Sequence, residues 1–161
     1  MMASTTAAMH LFADAEIRMR EHDPDSNGDT YVDLAEPAAG AAGSPTAPCL
    51  PIGNFRRFAA IYMTTVGTGG VTEFTIGAAT SAAAAGWVAV ATHAIGSNPH
   101  AVGDFLVLEC NVEQVREVLA TATHIGVLIN LVTNTDEGAV TFIRAEPVYK
   151  VAGLTADYVS P

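Results

Sequence analysis

The sequence is short of positive charge, of aromatic residues and of cysteine, and each shortage excludes something. Seven Lys and Arg stand against seventeen Asp and Glu in 161 residues, a formal charge of −10, and Lys150 is the only lysine. Such a surface repels phosphate backbones and anionic lipid, which excludes autonomous nucleic-acid and membrane-surface binding. Cys49 and Cys110 have no metal-ligand spacing and cannot make a framework of bridges, so each reads as a small buried apolar residue. Long apolar runs are missing too. No charged residue occurs from Phe74 to Gly103, yet the continuous apolar part, Ala82 to Ala91, is ten residues against the ~20 that span a bilayer. The first residues lack a basic region and their apolar run is broken by Asp14 and Glu16, so no signal peptide is expected. Half the residues are hydrophobic, which supports a real core, but only 7% are aromatic and many are alanine. The expectation is one soluble domain over 1–161, made in the cytoplasm, with a thin core that leans on partners.

Composition divides the chain. Residues 1–36 hold eight of the seventeen carboxylates. Residues 37–53 contain four prolines and three glycines among small residues, which predicts a long loop or extended arm. Residues 54–150 form a patterned body and 151–161 a tail. In the body, 55–66 and 71–78 read as strands joined at Gly67-Thr68-Gly69-Gly70, a predicted hairpin. Strands follow at 87–93 and 104–110. The runs 124–133 and 139–150 flank Asn134-Thr135-Asp136-Glu137-Gly138, a second predicted hairpin. Between 104–110 and 124–133, Asn111 caps a short helix whose Val112, Val115 and Leu119 share one face. Short strands at regular spacing with one small helix predict an all-β, antiparallel sandwich.

Templates for chemistry fail one after another. Asp23, Asp25, Asn27, Asp29 and Asp33, with Gly28 at the sixth position, follow a calcium loop. The closing twelfth position is Leu34 rather than Glu, and a solvated acidic turn is the competing reading. No Gly-x-Ser-x-Gly elbow occurs, and His10, His22, His93, His100 and His124 lack ligand spacing. His93 and His124, in predicted strands, read as structural. The glycine turn at 67–70 has no lysine or following helix for a phosphate. No enzyme, cofactor or resident metal is expected. Arg56-Arg57, the one basic doublet, suits either a subunit boundary or a salt bridge within the fold.

Leu11-Phe12-Ala13-Asp14-Ala15, then Tyr31-Val32-Asp33-Leu34, then a strand-rich body ending near Glu146-Pro147 form an ordered set. A helix-like Val112–Leu119 precedes the strand Ile125–Val132 within it. This order is similar to the cement, or decoration, proteins of tailed-phage heads, of the jelly-roll type described for the Bordetella phage. The resemblance implies a jelly-roll-like sandwich on the exterior of the virion, bound to the major capsid protein and to itself as a dimer or trimer. It carries no catalytic residues. Leu11, Phe12, Tyr31, Leu34, Arg56 and Arg57 are the candidate contact residues. A head-fibre, tail or receptor-binding role for the same sandwich is the alternative, although Trp87 and four tyrosines are little material for a saccharide platform.

Overall fold

A computed structural model describes residues 15–22, 28–35, 46–66, 71–94, 102–132 and 137–147. Among these residues are nine strands, β1 (Glu16–His22), β2 (Gly28–Tyr31), β3 (Leu50–Pro51), β4 (Phe55–Val66), β5 (Val71–Ala79), β6 (Val88–Ala94), β7 (Phe105–Asn111), β8 (His124–Leu131) and β9 (Glu137–Pro147). One helix, α1 (Val112–Val118), stands among them. Every pairing is antiparallel: β5 with β6, β4 with β7, β2 with β8 and β1 with β9. These four pairs are arranged symmetrically about the connection 80–87, as if one long hairpin had been bent there. The ribbon is then rolled so that β4 also meets β9 and β5 also meets β8. Two sheets result, β1-β9-β4-β7 and β2-β8-β5-β6, with β3 on the flank of β8. This is the jelly roll, a double Greek key in which the chain passes repeatedly between two packed sheets.

Neither predicted hairpin forms. β4 and β5 lie in opposite sheets, and so do β8 and β9. Phe58, Ala60 and Tyr62 of β4, and Phe74, Ile76 and Ala78 of β5, are all buried on one side of their strands. Two such strands bury those faces against each other better across a sandwich than side by side. The Tyr62 and Phe74 rings meet there, with centroids 5.8 Å apart. Val127, Ile129, Val140 and Phe142 complete the same core.

The expected helix is present. The Asn111 side chain accepts from the Gln114 N–H and the Gln114 side chain accepts from the Asn111 N–H, both at 2.9 Å. Such a reciprocal box satisfies two of the end donors that a helix of seven residues cannot satisfy itself. Val115 is buried, with Val112 and Leu119 packed beside the core. Because α1 touches β4 and β7 of one sheet and β5 and β6 of the other, it closes one end of the sandwich.

The acidic N-terminal region, for which composition alone predicts no element, supplies two strands, β1 and β2. The proline-rich arm is not unpaired throughout, because Leu50 and Pro51 pair with Ile125 and His124 of β8. Proline is tolerated there because β3 sits at a sheet edge, where its missing N–H breaks no interior ladder. Cys49, Leu50 and Ile52 are buried beside it, and both cysteines are free thiols as expected. Burial pushes Cys49 and Cys110 up to about 12, which leaves them inert. No described helix is long and apolar enough to cross a membrane.

Candidate interaction surface

β1 runs against the usual pattern of a sandwich strand. Its inward residues are Glu16, Arg18, Arg20 and His22, while Ile17 and Met19 face out. The polar row works because β1 is an edge strand whose long side chains reach the other sheet. His22 Nε2 meets Thr30 Oγ1 of β2 at 2.9 Å. Arg20 donates to the carbonyls of Asp33 at 2.9 Å and Leu34 at 3.2 Å. Arg144, the buried charge of neighbouring β9, pairs with Glu16, donates to the Pro51 carbonyl and lies 4.7 Å from the Phe55 ring centroid. Burial raises Glu16, but hydrogen bonds and charge from Arg18 and Arg144 outweigh it and hold the carboxyl below its ordinary value. This polar clasp joins the two sheets along one edge.

The outer faces of the two sheets differ. On the β2-β8-β5-β6 sheet, Gly77 and Gly126 are paired neighbours, and Trp87 covers them both. A Cβ at Gly77 would lie 2.2 Å from Trp87 Cζ2, and one at Gly126 would lie 2.7 Å from Cys49 Sγ. Tyr31 meets the Trp87 ring edge-on at 5.1 Å. The protein thus covers this face with its own side chains. Gly77→Ala should lift Trp87 off the sheet, lower stability by about 1–3 kcal/mol and shift the emission of this single tryptophan to the red. Unchanged emission with unchanged stability would show that the ring does not lie on Gly77.

The outer face of β1-β9-β4-β7 has no such cover among the described residues. Strand register sets out three rows across it: Glu21-Ala139-Met63-Phe105, Met19-Thr141-Ile61-Val107 and Ile17-Ile143-Ala59-Glu109. Met19 is 72% exposed, Phe105 67% and Val107 50%, which are high values for large apolar side chains. At one end lies a groove of about 220 Å³, floored by Ala59, Ile143 and Ala145 and edged by Arg57 and Glu109. The sheet measures roughly 19 by 24 Å in plan from its strand count and length, so this face is near 450 Å². Glu21, Thr141 and Glu109 interrupt it, and the apolar remainder lies within the roughly 300–600 Å² of the largest apolar patch on a typical monomer, a patch that is often functional.

The candidate residues are dispersed. Leu11, Phe12, Asp23, Asp25 and Asn27 lie outside the described residues. Leu34 is fully buried in the core and is therefore not a surface contact. Tyr31 packs on Trp87, and Arg57 pairs within the fold with Glu146 at 3.3 Å. Arg56 is exposed. Of the calcium candidates, Asp29 stands in β2 and accepts from Asn130 at 2.6 Å, and Asp33 accepts from the Ala35 N–H at 3.2 Å. From Gly28 onward the motif is extended and paired with β8, so its second half does not wrap as a cation loop would. No group of three or more potential metal ligands occurs among the described residues. The expectation for the histidines also changes: His93 is exposed, and among the described residues His22 is the buried histidine. Met19, Met63, Phe105 and Val107 are not among the predicted contacts. Their signal is an apolar residue on both faces of the same strand, as in Phe105-Leu106-Val107-Leu108.

No protein-family model matches the sequence, and no characterised protein of similar sequence is found. Solved structures give distant likenesses only. The coat protein of Tobacco streak virus is 7% identical, over 91% of this chain and 94% of that chain, at a TM-score of 0.41. The K1 cleaved adhesin domain of Lys-gingipain from Porphyromonas gingivalis is 11% identical, over 82% and 98%, at 0.39. PirA is 14% identical, over 81% and 93%, at 0.35. The jelly-roll assignment rests on the strand pairing and not on these likenesses.

Proposed function

We propose that this protein is a virion structural component that binds the outer surface of a bacteriophage capsid and cements it. The observation that carries the reading is the asymmetry of the sandwich: one outer face is covered by Trp87, and the other is largely apolar and left uncovered by the described residues. A face of that kind belongs in an assembly. The resemblance of the residues at 11–15 and 31–34 to phage cement proteins gives the assembly its identity, and the charge of −10 suits the exterior of a shell better than a DNA-facing interior. The partner is the major capsid protein. Binding the assembled shell, and not its separate subunits, stabilises the shell by mass action, and repetition over a symmetric lattice turns weak contacts into a stable layer.

The test compares particles with and without the protein, by copy number from quantitative mass spectrometry and by the temperature of DNA release. A copy number near that of the major capsid protein, with earlier release in its absence, is the expected result. A few copies per particle would replace this reading with a head-fibre or tail role, and absence from the particle would overturn it.

A further inference from the structure

Each sheet of the sandwich has two edges, and a strand edge is a row of N–H and C=O groups open to another chain unless something blunts it. Three of the edges are blunted, each by a different means. β1 carries Glu16, Arg18, Arg20 and Glu21 within seven residues. β2 and β3, which share one side of β8, are only four and two residues long. β6 is broken by a bulge, where Ile76 faces Ala91 but Gly77 faces Ala89. β7 has none of these devices. It pairs with β4 through seven consecutive positions, from Arg57 with Asn111 to Met63 with Phe105, without a shift of register. It contains no proline and one charge, Glu109. Among the described residues nothing pairs with its outer side.

We propose that β7 accepts an extended strand from a partner protein, which joins the β1-β9-β4-β7 sheet as a fifth strand. Every second residue of β7 turns its N–H and C=O away from β4, so a partner backbone finds donors and acceptors along about 23 Å. Side chains add to this. The three rows across the bare face end on β7 at Phe105, Val107 and Glu109, and the first two are exposed there. An antiparallel newcomer sets its outward residues opposite these three, about 5 Å away, where cross-strand pairs form. The partner's chemistry follows: aromatic or β-branched residues opposite Phe105 and Val107, and a basic residue opposite Glu109, at alternate positions of an otherwise uncharged segment.

A second copy of the chain does not supply that complement. Antiparallel pairing of Phe105–Asn111 with itself sets Glu109 opposite Val107 and Phe105 opposite Asn111, so neither the charge nor the ring meets its match. Each copy also brings a charge of −10. An edge that takes a strand can serve a capsid subunit or any other protein, so the cement reading is not needed here.

The probe is a blocked synthetic peptide, Thr-Thr-Lys-Thr-Val-Thr-Tyr, labelled at its N-terminal end and titrated with the full chain. Fluorescence anisotropy should show saturable binding with a Kd between about 10 µM and 1 mM. Two further peptides carry N-methyl groups, one on the odd residues and one on the even. The version methylated along the side turned to β7 should bind at least ~10-fold more weakly, and the other should keep its affinity. Glu109→Lys should weaken the lysine peptide about five-fold and favour a peptide with glutamate in that place. Near-ultraviolet circular dichroism reports that this variant is folded. Amide hydrogen exchange locates the peptide: alternate amides of β7 should slow, and those of β1 and β6 should not. No saturable binding, equal binding by both methylated peptides, a lysine preference that survives Glu109→Lys, or protection at another edge would overturn the proposal. A free chain that sediments as a dimer with those β7 amides already protected would overturn it too, because a second copy would hold the edge. No capsid enters the measurement, so failure here leaves the cement reading standing.

Discussion

Replacing Arg144 with methionine should lower stability by about 2–3 kcal/mol, the largest loss expected from a single side chain outside the apolar core. Three things end at once. Glu16 keeps Arg18 at 2.6 Å but loses its buried partner, the Pro51 carbonyl loses a donor, and the Phe55 ring loses the guanidinium above it. Breaking a fully buried ion pair costs about 3–5 kcal/mol, largely because one charge is left behind. The lower figure applies here because the Glu16 side chain keeps 28% of its surface in water. For a chain of this size the melting temperature should fall by roughly 6–10 °C. Glu16→Gln should cost less, because it removes the charge and leaves the arginine a neutral acceptor. The pH dependence separates the two. The carboxyl of Glu16 is held below its ordinary value, so its contribution is present above the unfolded pKa and is lost as pH falls through the folded one. In Arg144→Met the folded value moves back toward the unfolded one, so that acid-side loss should shrink, and in Glu16→Gln it should vanish. Melting curves from pH 3 to 7 decide it. A variant as stable as wild type at pH 7 would show that the clasp along the β1 edge contributes nothing to the fold.

Much of the architecture was legible because it depends on local pattern. The body strands were found where branched and aromatic residues cluster, and the helix where Asn111 precedes a three-four spacing of apolar residues. Sheet membership was not legible. The glycine-rich segment after Val66 suits a hairpin as well as a crossover, and nothing within a few residues of it says whether Phe74 will lie beside Tyr62 or opposite it. That choice is made by the pairing of β4 with β9 and of β5 with β8, some eighty and fifty residues away in the chain. β1 was missed for a different reason. A reader of alternation expects charge outside and apolar residues inside, and the segment 16–22 reverses this. The reversal has a physical cause at each end: the charges bridge to β2 and to the carbonyls after it, and Ile17 and Met19 extend the bare apolar face.

That bare face was half visible. Phe105-Leu106-Val107-Leu108 is apolar on both sides, and so is Ala59-Ala60-Ile61-Tyr62-Met63, which marks strands covered on both faces. What the sequence alone withholds is that the two runs are hydrogen-bonded neighbours, so that their outward residues form one surface. The candidate contacts rest instead on short motifs and a charge doublet. Leu34 was among them, and it serves the core.

The second large effect is expected from acid. His22 is buried beside Thr30, and loss of hydration lowers its pKa from 6.5 to about 4. Thr30 Oγ1 donates to the Ile129 carbonyl at 3.1 Å, which leaves its oxygen to accept from His22. The neutral ring therefore carries its proton on Nε2, and acid adds the second proton at Nδ1, inside the protein. Because the folded pKa lies below the unfolded one, the unfolded chain binds the proton first. Stability is complete above pH 6.5, declines as pH falls toward 4, and levels off below. A shift of that size corresponds to about 3 kcal/mol, of which roughly 2–3 should be gone by pH 4.5. The decline precedes the loss from Glu16, so two steps along one edge of the sandwich should separate on the pH axis. Denaturant midpoints at pH 7, 5.5 and 4.5 measure the first. His22→Gln, which retains an amide donor toward Thr30 and cannot titrate, should be nearly flat across that range. If it follows the wild-type slope, the proton is taken up elsewhere and His22 is not what acid opens.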